Sequence, residues 1–477
     1  MHDYAPLIEM YDHAPLIERA FSFVPNERDY TITDVEGELP LIRGSYYLNG
    51  PARFERGRVS YNHWLDGDGM VCALNFNGDD VRFVNRFVRS KKFVAEEERG
   101  EAIFRTFGTS FAGDQLKRAM MLEPPVNVSA YSFVGKLLAF GEQGLPFELD
   151  PLTLETRGQF DFNGALNDIS PFAAHPKIDT HTGEMFNFGV SFSALEPFLN
   201  LYRFDKDAQL IYRKRIRLEY AASIHDFGLS ESYTIFYVSP FVLDMGALAR
   251  DGKTLQESLA WQPSHTSRLL IVERKTGKLA CALTVGNHYC LHFINCFESH
   301  GILNVDLLEL ERPVYDQYQT IPNLFTDVCR GAPVRFVIDV QHCELIKTIS
   351  LDYNLAPDFP SVAPQNFMRP YEDFWMLGIS ATGKTGRKFF DQLVHANWQT
   401  KAIEIYQAPP RCYIGGEPVF ISDKDANEKG FVICQLFDAE NEKSSFLLFD
   451  ANDIAKGAIA KLNLKEPIPT GFHASFC

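Results

Sequence analysis

Thirteen histidines are scattered along the chain, and four of them share a context. His175 stands in AAHPKIDTHTGE, His225 in IHDFGLSES, His292 in LHFINCFES and His473 in GFHASF, each after an apolar or aromatic approach. A single such residue is most often a hydrogen-bonded core histidine. Four in one context suggest a shared task. They lie 50, 67 and 181 residues apart, too far for a local finger and suited to ligands delivered by separate elements to one axis. Four neutral imidazoles without a thiolate suit Fe, Cu, Zn or Ni; an octahedral preference with two open positions favours Fe(II) and dioxygen. Spacing alone leaves the metal open.

Other motifs carry less. The nine cysteines include no C-x-x-C pair and no regular spacing, so a thiolate metal site or a disulfide framework is disfavoured. Gly378-Ile-Ser-Ala-Thr-Gly383-Lys384-Thr385 satisfies the P-loop pattern after a strand-like Phe374–Leu377. Gly386 and the flanking hairpin texture instead predict a turn, and no nucleotide is expected. DGDGM at 66–70 lacks EF-hand spacing and reads as a structural turn. A net charge of −16 argues against a phosphate-binding face, hence no nucleic acid. The N-terminus lacks signal-peptide character, and no run of about 18 apolar residues is present. A reducing, cytoplasmic setting is the expectation.

From about residue 40 the chain reads as short apolar or alternating runs broken by polar turns. Lys136–Phe140, Asn200–Phe204, Leu269–Glu273, Val334–Val340, Phe431–Phe437 and Ser445–Phe449 are examples. Helical periodicity is best at Phe107 to Leu122, then Val242 to Ala260. Many hairpins without a linker predict an all-β radial architecture, a propeller, although no blade-length repeat is visible. Residues 1–35, with DYAPLIE at 3–9 echoed at 12–18, read as an N-terminal arm, and 36–477 as one propeller domain. Most of the 40 phenylalanines are expected in the core, a minority along an apolar channel.

Several blocks together resemble the carotenoid oxygenase family. They are GSYYLNGP (44–51), HWLDGDGM (63–70), NRFVRS (85–90), FGEQGLPFELDPLTLET (140–156), HPKIDTHTGE (175–184), HDF (225–227), HFIN (292–295), GEPVF (416–420) and GFHASF (471–476). The resemblance runs from Leu41 to Phe476. It implies a seven-bladed β-propeller with a helical cap over the top face. It also implies one Fe(2+) per chain, held by His175, His225, His292 and His473, with Glu142, Asp358 and Glu417 behind them. Asp358 stands where the family usually has Glu, one methylene longer, so that contact needs a backbone shift or a bridging water. Val128 stands where many members have Thr near the open iron positions, and Leu48 replaces Arg in the tight N-terminal signature.

The implied reaction is cleavage of a carotenoid or apocarotenoid C=C bond by O2 into two aldehydes. Stilbene-cleaving members usually carry a Lys immediately before the first acid and a Tyr upstream; here Gly141 and the Phe107–Phe111 stretch stand there. That favours a polyene. An isomerohydrolase on the same iron site, and an inert carotenoid-binding propeller, stay open as alternatives. An apolar substrate implies peripheral membrane contact. Phe107, Phe111, Leu116, Met120, Met121 and Leu122 are one candidate for docking or the tunnel mouth, and Phe241, Val242, Leu243 and Met245 a second.

Overall fold

Short alternating runs become antiparallel strands because a period-two pattern buries one face as soon as a neighbour pairs with it. Ser129–Phe133 and Lys136–Phe140 pair across a two-residue turn in which Val134 and Gly135 both have positive φ, 48° and 72°. That twist matches the flanking strands. In the computed structural model, which describes residues 12–78, 80–191, 196–314, 321, 323, 325–422 and 430–477, such hairpins build seven sheets around one axis.

We number these blades I to VII along the chain. Blade I holds Ile42–Arg53, Asp68–Gly78 and Asp80–Phe87; blade II runs from Ser129–Phe133 to Thr156–Gln159. Blade III runs from Lys177–Ile178 to Leu210–Arg217, blade IV from Gly228–Leu229 to Leu279–Gly286, and blade V from Tyr289–Ser299 to Glu344–Ser350. Blade VI runs from Asp358–Ser361 to Ile403–Gln407 and blade VII from Cys412–Ser422 to Ala460–Asn463.

The chain ends lace this ring shut. Ala474–Phe476 becomes the innermost strand of blade I, Leu48 facing Ala474 and Tyr46 facing Phe476. Arg28–Thr31 forms the outer strand of blade I and Val35–Gly37 that of blade VII. The segment set apart as an arm, 1–35, thus ends inside the sheets. Its second repeat, 12–18, is held by Arg387, 2.6 Å from Asp12 and 2.7 Å from Glu18. The first repeat, 3–9, lies outside the described residues. Large side chains fill the space between blades. Phe162 stacks on Phe204 at 4.2 Å in a cluster with Phe172 and Tyr202, the core use expected of most phenylalanines.

Four expectations need correction. Residues 107–122 form turns and isolated bridges, not a helix. Gly113, Arg118 and Ala119 sit at positive φ, and Asp114 is taken by Arg105 at 2.7 Å. The apolar period there matched a helix by accident. Val242 to Ala260 is only partly helical: Met245–Ala249 is a short helix inside a hairpin of Phe241–Leu243 with Leu259–Trp261. The cap is therefore mainly loops; among the described residues the longest helix is Lys91–Arg99. Finally, a disulfide joins Cys281, on the outer strand of blade IV, to Cys343 in a blade V turn. Their separation of 62 residues leaves no spacing signature.

Residues 380–386 form the expected turn, whereas in DGDGM only Asp66 and Gly67 turn and residues 68–70 already open a strand of blade I. No helix follows Lys384-Thr385, and a side chain at Gly378 would collide with the Tyr353 hydroxyl. In DGDGM, Asp66 accepts the backbone N–H groups of His63 and Gly108. Asp68 lies fully buried, 2.7 Å from Lys92 and 2.6 Å from Arg56.

Candidate metal centre

Each of the four histidines stands at the start of an innermost strand or just before it. His175 precedes Lys177–Ile178, His225 precedes Gly228–Leu229, and His473 immediately precedes Ala474–Phe476. His292 lies within Tyr289–Ser299, where the register shifts between Cys290 and Phe293; such a bulge re-aims a side chain. Blades III, IV, V and I thus deliver one imidazole each. Their inward ring nitrogens all lie within 4.8 Å of one another, although the residues are separated by up to 298 positions in sequence.

The remaining three blades supply the acids. Glu142 follows the Lys136–Phe140 strand of blade II and comes within 2.8 Å of His225 Nδ1. Asp358 opens the inner strand of blade VI, 2.5 Å from His292 Nδ1. Glu417, on the inner strand of blade VII, is 3.2 Å from His473 Nδ1. A carboxylate on Nδ1 turns Nε2 inward as a lone-pair donor and raises its basicity. His175 instead sits with Nε2 2.9 Å from His225 Nε2.

The shorter Asp358 reaches its histidine because the backbone moves in. Ala356 and Phe359 both have φ of 51°, and the Phe359 N–H donates to the same Asp358 oxygen at 2.8 Å. No bridging water is needed. Burial raises the Asp358 pKa to about 6, against the pull of that N–H.

These residues fit a cation. Burial and the neighbouring imidazoles hold His175 and His292 well below the ordinary histidine pKa, so both are neutral. For His225 burial acts downward, but the Glu142 carboxylate outweighs it and the net shift is upward. His292 Nε2 is buried without a hydrogen-bond partner among the described residues, an expensive state that an ion relieves. The four-histidine cluster can hold a metal.

His225, His292 and His473 form part of the wall of an apolar cavity of about 1500 Å³, including its mouth. Seven phenylalanines line it: Phe107, Phe172, Phe188, Phe325, Phe359, Phe390 and Phe472. Val128 lies on this wall, its N–H given to Phe140 and its carbonyl accepting the His473 N–H at 3.2 Å. The docking candidate splits. Phe107 and Leu122 face the cavity, Met120 is 56% exposed, and Phe111 and Leu116 are half-buried. The second candidate fails as a membrane face, since Phe241 and Leu243 are buried; strand pairing had closed them inward.

Motif reading overlooked two charged pairs. Lys177 and Asp226 lie 2.8 Å apart behind the histidines, hidden in plain view inside HPK and HDF. Glu123 is buried on the cavity wall, with Lys117 at 3.7 Å; nothing in the sequence marked it.

Comparison with known proteins agrees with this geometry. Residues 21–477 match the family described as Retinal pigment epithelial membrane protein. Apocarotenoid-15,15'-oxygenase of Synechocystis is 30% identical over 96% of this chain and 95% of its own. Isoeugenol monooxygenase of Pseudomonas nitroreducens is 31% identical over 60% of this chain and 59% of its own. The cobalt-substituted Synechocystis oxygenase superposes with a TM-score of 0.87 at 29% identity, covering 97% of this chain and 98% of that one.

Proposed function

The chain belongs to the carotenoid oxygenase family, and from that premise we propose that it cleaves one C=C bond of an apocarotenoid or carotenoid with O2. The observation that carries this is a cluster of four imidazoles, three of which form part of the wall of an apolar cavity lined by seven phenylalanines. The cofactor is Fe(2+), held by His175, His225, His292 and His473. When bound, it supplies the electron chemistry that lets ground-state O2 react with an alkene. Both oxygen atoms end in product, R–CH=CH–R′ + O2 giving R–CHO and R′–CHO.

The chain's own residues bind, orient and exclude. Glu142, Asp358 and Glu417 fix the imidazole rings, so little reorganisation accompanies binding. The phenylalanine-lined wall orients a polyene, which offers no ionisable handle, and excludes bulk water. Val128 presents methyl groups where a hydroxyl would recruit water. Gly141 offers no amine to a phenol, and its Cα side is closed by Pro124 and Val126, which favours a polyene over a hydroxystilbene. Residues 36–477, together with the Arg28–Thr31 strand of blade I, act as one catalytic unit. Met120 and Leu122 mark the mouth, where a cytoplasmic enzyme would touch the membrane that holds its substrate.

The test is oxygen uptake with product masses, offering Fe(II)-loaded protein β-carotene, an apocarotenal and a hydroxystilbene. Two aldehydes from a polyene, with His292→Ala silent, are expected. No uptake with any of the three at full iron occupancy overturns the proposal. Membrane contact is checked by liposome pull-down: Met120→Ser with Leu122→Ser falls to background, and unchanged binding refutes it.

A further inference from the structure

Three carboxylates around the histidines face an imidazole Nδ1. A fourth, Asp226, is 4% exposed and has other partners. Its Oδ1 is 2.8 Å from Lys177 Nζ, and its Oδ2 accepts the backbone N–H of Phe293 at 2.9 Å. Asp226 follows His225 directly, Lys177 lies two residues after His175, and Phe293 follows His292. One side chain therefore joins the segments that carry three of the four imidazoles, from blades III, IV and V.

The geometry points to Asp226 and Lys177 as positioning residues that set the spacing of His175, His225 and His292 before any ion arrives. Two features make this more than an ordinary buried ion pair. The Phe293 N–H lies at the register shift that turns His292 inward, and giving it to Asp226 satisfies a donor the bulge exposes. The Lys177 ammonium also lies over the Phe227 ring at 5.9 Å, which holds it between the strands rather than free to swing outward. His473 is fixed independently, its carbonyl accepting the Asn49 N–H at 3.1 Å and its N–H reaching Val128. The fourth ligand needs no share of the clamp.

This inference rests on the metal-centre reading above, and its test separates the two. Co(II) is the probe, titrated against a chelator into metal-free wild type, Lys177→Met, Asp226→Asn, Lys177→Arg and His292→Ala. The visible Co(II) spectrum and the melting temperature of each metal-free protein are recorded alongside. Lys177→Met and Asp226→Asn should bind Co(II) about 10–100-fold more weakly with shifted bands, while Lys177→Arg recovers to within a few-fold. A lower melting temperature with wild-type Co(II) affinity and spectrum in both variants would show a merely structural pair and overturn the inference. Wild-type Co(II) binding by His292→Ala would instead remove the four-histidine centre itself, and the inference with it.

Discussion

Replacing Asp358 by Asn and, separately, by Glu divides charge from reach at the His292 contact. One Asp358 oxygen serves two donors, His292 Nδ1 at 2.5 Å and the Phe359 N–H at 2.8 Å. An Asn carbonyl oxygen can occupy the same point, so the shape survives and only the charge is lost. The expected loss in metal affinity is about 10–100-fold, or about 1.4–2.7 kcal/mol. Glu keeps the charge but inserts a methylene between a backbone already drawn in and a ring boxed by Phe359 at 5.6 Å and His473 at 4.8 Å. Overpacking of this kind costs about 1–3 kcal/mol, so the Glu variant should melt lower and bind metal less well, even though Glu is the family's usual residue. The assay is Co(II) affinity by chelator competition together with melting of the metal-free protein. A Glu variant as stable as wild type and binding Co(II) as tightly would refute the argument that the positive-φ backbone at Ala356 and Phe359 has fitted the site to the shorter acid.

Burial raises the Glu123 pKa while Lys117 pulls it back. The folded state therefore binds that proton more tightly than the unfolded chain, and stability falls as pH rises from about 4.5 through the folded pKa. Glu123→Gln should melt above wild type at pH 7.5, the gap closing by pH 4; a gap that widens on acidification contradicts this. Lys92 is fully buried between Asp68 at 2.7 Å and Glu96 at 2.8 Å, and Glu96 also accepts the N–H groups of Ile103 and Phe104. Lys92→Met should cost about 3–5 kcal/mol in urea unfolding; a loss below about 1 kcal/mol would show that Arg56 suffices for both acids. Opening the Cys281–Cys343 bridge, by reductant or as Cys343→Ser, releases a 62-residue separation and should cost up to about 4 kcal/mol. Melting should fall with oxygen uptake at 25 °C intact; an unmoved melting temperature in the serine variant argues against the bridge.

The hairpins were legible because their causes are local. An alternating run and the polar turn that ends it lie within a dozen positions of each other, and the pairing they imply needs nothing from the rest of the chain. The helix expected at 107–122 failed for the opposite reason: its period is real, but Asp114 spends its carboxylate on Arg105 and the chain enters positive φ at Gly113, Arg118 and Ala119. A chain-long β texture predicted a radial fold; lacing of Val35–Gly37 and Ala474–Phe476 into blades VII and I could not be foreseen, since pairing over more than 400 residues leaves no periodic trace.

Residue type and context alone singled out His175, His225, His292 and His473, because four imidazole donors after apolar approaches are chemically unusual wherever they occur. Which acid faces which ring was decided in three dimensions, where blades II, VI and VII turn Glu142, Asp358 and Glu417 toward neighbours up to 83 positions away. The fit of Asp358 depended on two backbone torsions that no side-chain identity announces. Asp226 took its meaning from a bulge in a different blade. Sequence specifies which groups can do chemistry; the distances that make them act together come from the closure of the ring, a property of all seven blades at once.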